Sequence, residues 1–144
     1  MAINDDLISV ATLCANVADA AIDQLIRLGA RPTDSAAATA WDAQDAVLKN
    51  KISTLNNLSS SISALIVSNA LQDVWPALDT LGGVTSSAQV NIDKIADISK
   101  AMAAIASVIN FGVSTIKVAT QPTATNAQSL ASAFTNMVGS LKNT

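Results

Sequence analysis

The sequence predicts an all-α fold, a four-helix up-down bundle built on a long antiparallel helical hairpin, and three observations carry that expectation. Half of the 144 residues are apolar but only 3% are aromatic. The apolar share is mostly Ala, Leu, Ile and Val, which suit close helix packing better than a sandwich or barrel. Apolar residues recur at spacings of three and four through two long stretches, the pattern of helices that present a continuous seam to a partner. Pro76 and Gly82-Gly83 stand between those stretches, where a reversal would turn one against the other. A chain of this length fits one domain, residues 1–144.

The first helix is expected over 5–28. Asn4 or Asp5 can cap it, and Arg27 suits the negative end of its dipole. Leu7, Val10, Cys14, Val17, Ala21 and Leu28 keep the three-four spacing, with Ile22, Leu25 and Ile26 broadening the same face, and Gly29 placed to stop it. Pro32 marks a turn, and Asp34 is a good cap for a second helix over 35–73. That helix carries Leu48, Ile52, Leu55, Leu58, Ile62, Leu65 and Ile66, and Trp75-Pro76 ends it because proline removes a backbone donor and clashes with the preceding turn.

After the reversal at Gly82-Gly83, Thr85, Ser86 or Ser87 is the expected cap of a third helix over 86–117. Its most regular part, Asn91 to Lys117, places Ile92, Ile95, Met102, Ala106, Ile109, Val113 and Ile116 in one seam roughly 37 Å long. A seam of that length needs a partner, and the second helix is the natural one, zipped against it coiled-coil fashion. Pro122 ends the pattern. Thr123 or Thr125 then caps a fourth helix over 126–141, short and free of charge until Lys142, which has to dock on something to be ordered.

Composition excludes much chemistry. There is no His, the side chain that most often moves protons near neutral pH and most often binds transition metals. No Glu occurs either, so a carboxylate-bridged two-metal site with its Glu-x-x-His pattern has no residues to build it. Neither catalytic, cofactor nor metal residues are expected. Lone Cys14 lies on an apolar helix side and reads as a small hydrophobe. The Asp pairs 19/23, 42/45 and 93/97 read as solvated faces, with Asp23 paired to Arg27, Asp45 to Lys49 and Asp97 to Lys100.

The formal charge is −3 and the eight Lys and Arg are scattered, so no basic stripe marks nucleic-acid binding. MAINDD has acids where a secretory signal has bases, which places the protein in the cytoplasm or on a leaderless export route. The mix of Ala, Ser, Thr, Asn and Gln with little charge is similar to that of bacterial helical proteins that are exported and then assemble.

The expected function is therefore non-enzymatic: association, either with copies of itself as a homo-oligomer or by docking on a partner protein's helices. Trp41 and Trp75 are interface candidates or plugs at the ends of the hairpin. Ala101 to Ile116 is a charge-free run in which Ile105, Val108, Ile109, Phe111, Val113 and Ile116 are candidates for an interface or for membrane insertion, as in a helical toxin or translocator. Such a run is shorter than the ~20 residues of a bilayer span, and a buried core helix is the favoured reading. Gly112 within it suggests close helix packing or a bend. A small-ligand carrier with a pocket between helices is a further alternative.

Overall fold

The computed structural model describes residues 2–142. Those residues form six helices and no strand: α1 (Ala2–Arg27), α2 (Ser35–Ser63), α3 (Asn69–Val74), α4 (Leu81–Asp93), α5 (Ile98–Thr120) and α6 (Ala124–Lys142). The all-α class is as the sequence predicts, but two of the four expected helices are each divided.

The second expected helix stops at Ser63. Nothing in the sequence forbids its continuation, yet Ser68 turns its hydroxyl back to accept from Leu71 N at 3.1 Å and starts α3 as a separate piece. Pro76 then holds the chain out of helix as expected, with α3 ending at Val74. The third expected helix is interrupted over 94–97. Asp97, expected to pair with Lys100, instead caps α5, accepting from Ser99 N at 2.8 Å and Lys100 N at 3.4 Å. The regular spacing across Asn91 to Lys117 thus spans two helices, because a capping carboxylate in mid-pattern offers the backbone an alternative to the next helical bond.

The chain reversal is also displaced. Gly82 and Gly83 lie in the first turn of α4, and the turn precedes them, closing at Thr80, which holds a left-handed φ of 71°. Thr85, Ser86 and Ser87 are inside α4 and do not cap it; Thr85 is buried and donates to Ser9 O at 3.3 Å. The first helix starts earlier than expected, at Ala2, so Asn4 and Asp5 lie inside α1 and do not cap it. The remaining expected ends hold. Gly29 leaves α1 at φ 67°, Asp34 caps α2 through Ala37 N at 3.0 Å, and Thr123 Oγ1 accepts from Asn126 N at 3.1 Å at the start of α6.

The helices pack around α1. Ser59 donates to Ala11 O and Trp41 to Leu28 O, which fixes α2 antiparallel to α1. On another side, Thr85 reaches Ser9 O and Gln24 reaches Ile92 O, so α4 runs parallel to it. Helix α1 lies between α2 and α4, which hardly touch. The expected lengthwise zipper between the second and third helices is therefore not formed; of that third helix only α5 meets α2.

Small residues make this possible. Along α1 the buried set Val10, Ala11, Leu13, Cys14, Val17, Ala18, Ala20 and Ala21 covers about half the perimeter, and Ala and Cys let several helices approach one axis. Gly112 of α5 sits where three helices meet: a methyl there would lie 3.1 Å from Leu58 Cδ1 of α2 and 3.2 Å from Cys14 Sγ of α1. Of the two readings offered for this glycine, the structure takes close packing.

Helix α6 folds back on α5 through a turn closed by Thr123 N to Gln121 O at 2.9 Å. Phe111 and Phe134 meet across the pair, centroids 5.5 Å apart and planes tilted by 48°. With Leu130 and Met137 buried, docking on α5 supplies the partner that this nearly uncharged helix requires.

Candidate functional site

Three features of the assembled helices can do something chemically or sterically: a polar junction where α4 ends on α1, a polar groove between α5 and α6, and the uncovered face of α1.

The junction follows from the break after α4. A helix that stops inside a protein leaves carbonyls without intrahelical donors. Side chains of α1 supply them: Gln24 Nε2 donates to Ile92 O at 3.0 Å and Ile95 O at 3.1 Å, and Arg27 Nη1 donates to Ile95 O at 3.2 Å. Gln24 is buried to do this. Asp93 turns Oδ1 into the same interface with no donor to meet it. Burial first, then the facing carboxyl of Asp23, push the Asp93 pKa up from 3.8 to about 6, while the charge of Arg27 pulls the other way. When Asp93 carries its proton, its carboxyl can donate to the facing carboxylate of Asp23. This is a cross-helix pair, distinct from the expected pairing of Asp23 with Arg27; the expected Asp45–Lys49 contact does form, at 2.9 Å. Asp42, grouped with Asp45 as a solvated face, is exposed and held below the usual carboxylate range by its hydrogen bonds from Arg31.

Between α5 and α6 a groove of about 520 Å³ is lined by uncharged polar side chains, among them Asn110, Gln128, Ser129, Ser132 and Asn136. No group of three or more metal-ligating side chains comes together among the described residues. Burial pushes the Cys14 thiol up to about 12, so at neutral pH it is protonated and inert as a nucleophile.

The third feature is the outer face of α1. Opposite its buried side run Ile8, Thr12, Ala15, Asp19, Ile22 and Ile26, spaced four, three, four, three and four. Ile8 is 66% exposed, Ile22 38% and Ile26 69%. At the Ile8 end the stripe borders a mainly apolar groove of about 460 Å³ between α1 and the end of α2, lined by Leu7, Ile8, Ala11, Ile62 and Leu65 with Ser59 at its edge. The sequence reading assigned Ile22 and Ile26 to the buried seam, and the structure moves both to solvent. A second three-four register, one residue out of phase with the buried one, is the signal that would have separated them.

The residues singled out from sequence scatter. Trp41 and Trp75 are half-buried and tie down the two ends of α1, Trp41 through Leu28 O at 3.2 Å and Trp75 through Asp6 Oδ2 at 2.8 Å. Ile105, Val108 and Phe111 are fully buried, and Ile109 and Ile116 pack against the core from its edge. Val113 is half exposed. These eight residues do not form one surface.

Comparison with protein-family models, with curated proteins and with solved structures gives no match.

Proposed function

We infer that the protein acts by association, as a non-enzymatic helical module whose partner covers the outer face of α1. The observation that carries this reading is the exposed stripe of Ile8, Ile22 and Ile26 on the same helix that organises the interior. Three large aliphatics at heptad spacing on one open face cost solvation unless something covers them. The weakly charged α5–α6 surface, with Ser, Thr, Asn and Gln in place of ions, presents little repulsion to a neighbour. Sedimentation equilibrium of the full chain from micromolar to millimolar concentration tests the self-associating form of this reading: a mass that rises with concentration supports it, and a monomer throughout leaves docking on another protein's helices as the associating role.

A second reading has its own observation. Helix α5 is long and apolar enough to cross a membrane, although 44% of its most apolar window is buried inside the structure. Insertion would require α5 to leave α1, α2 and α6. Dye release from anionic vesicles, with Val113→Lys as the probe because that side chain is half exposed, separates the two: leakage by the natural chain that the variant loses favours insertion, and intact vesicles count against it. The same composition that argues against catalysis argues against a small-ligand carrier, and neither groove described above is enclosed.

A further inference from the structure

We propose that the outer stripe of α1 is a two-fold interface, in which α1 of a second copy lies antiparallel across it with Ile8 of each chain against Ile26 of the other. This rests on the self-associating reading above and adds its surface, orientation and register.

The stripe is self-complementary in one direction only. Written out, it is Asp5, Ile8, Thr12, Ala15, Asp19, Ile22 and Ile26, with Arg27 beside the last. Run antiparallel about an axis near residue 17, the same sequence places Ile8 opposite Ile26, Thr12 opposite Ile22 and Ala15 opposite Asp19. Asp5 then comes within reach of Arg27 at both ends. Run parallel, it sets Asp19 against Asp19 and leaves Asp5 and Arg27 at opposite ends of the pair, so neither end gains an ion pair. Charge therefore selects the antiparallel pair.

Shape points the same way. An isologous interface needs each patch to meet its own complement on the other copy. The apolar groove beside Ile8 is concave, and Ile26, about 27 Å away along the same helix, is the most exposed aliphatic on α1. In the antiparallel register the projecting Ile26 of one copy arrives at the groove of the other, twice. Ala15 near the axis, the smallest side chain of the stripe, lets the two helices approach closely where they cross. Arg27 is exposed even though its Nη1 donates to Ile95 O, and Asp5 is exposed. A single helix face buries less than the roughly 1,200 Å² of a standard stable interface, so the dimer is a weak one that forms at high chain concentration.

Disulfide trapping tests the register. Because natural Cys14 is buried, introduced cysteines report alone. Under mild oxidation at high concentration, Ile8→Cys/Ile26→Cys is expected to give covalent dimer in high yield, while Ile8→Cys and Ile26→Cys separately give little. Efficient trapping of either single variant means a parallel pair and overturns the proposal. In sedimentation, Ile22→Lys is expected to shift the chain to monomer with its thermal midpoint unchanged, since the side chain is on the surface. A natural chain that associates while Ile22→Lys associates equally well overturns the proposal and leaves self-association standing by another face; a natural chain that stays monomeric overturns both.

Discussion

Helices α1 and α5 are similar in length, 26 and 23 residues, and each carries a long apolar stripe, but they occupy different positions in the protein. Helix α5 is the more apolar of the two and makes the only described segment long and apolar enough to span a bilayer. Yet α1 is the helix against which α2, α4 and α5 all pack. Apolarity measures how much surface a helix wants covered; centrality depends on how closely and how extensively its neighbours can pack. Helix α1 answers the second need with Ala11, Cys14, Ala18, Ala20 and Ala21 spread around its buried half, and it carries Gln24 and Arg27 to finish the end of α4. Helix α5 touches α1, α2, α4 and α6 but packs on them less extensively, with Phe111 against Phe134 of α6 and Gly112 against α1 and α2.

Substitutions can break this contrast at graded cost. Phe111→Ala removes the largest fully buried side chain and is expected to cost about 3–5 kcal/mol in urea unfolding. Its loss should loosen α6 first, read as faster proteolysis in that helix. Gln24→Leu keeps the volume but strips Ile92 O and Ile95 O of a buried donor, and a loss of about 2 kcal/mol is expected. A neutral result there would mean that α4 is not held at its end by α1. At the meeting of three helices, Gly112→Ala gains about 1 kcal/mol of helix propensity but presses on two buried side chains from different helices. Overpacking of about 1–3 kcal/mol outweighs that gain, so a small net destabilisation is expected, and a stabilised variant would show that Leu58 and Cys14 can yield.

The smallest effect is set by pH. Because Asp93 holds its proton up to about pH 6 in the folded chain, against 3.8 unfolded, the folded state binds the extra proton between those values. Its contribution is present in acid and is lost as pH rises through 6. Asp93→Asn should therefore raise the thermal midpoint at pH 7.5, by a few degrees at most because the site is partly open to water, and leave it unchanged at pH 4. An equal shift at both values would assign the effect to packing and not to the carboxyl pair.

Much of the secondary structure is legible in the sequence because it is local. Pro76, Gly29, Asp34 and Thr123 act on their own backbone, and each stops or starts a helix near where their chemistry says. The divisions at 64–68 and 94–97 are less legible, since Ser68 and Asp97 have no special spacing and sit inside a continuing apolar pattern; the pattern says which residues want burial and not whether one helix or two delivers it. Tertiary partners are the least legible. Trp75 finds Asp6, Asp93 finds Asp23 and Gln24 finds the end of α4 across some seventy residues of chain. The open face of α1 was within reach, because Ile8, Ile22 and Ile26 form their own register, but Ile22 and Ile26 read as part of a broad buried stripe until three neighbours have taken the other side.

Amide hydrogen exchange by NMR compares the two helices directly. If α1 is the element around which the rest is packed, amides from Leu7 to Ala21 open only with global unfolding and exchange slowest in the chain, with α5 protected less and α6 least. Slowest exchange in α5, with α1 opening ahead of it, would contradict that arrangement.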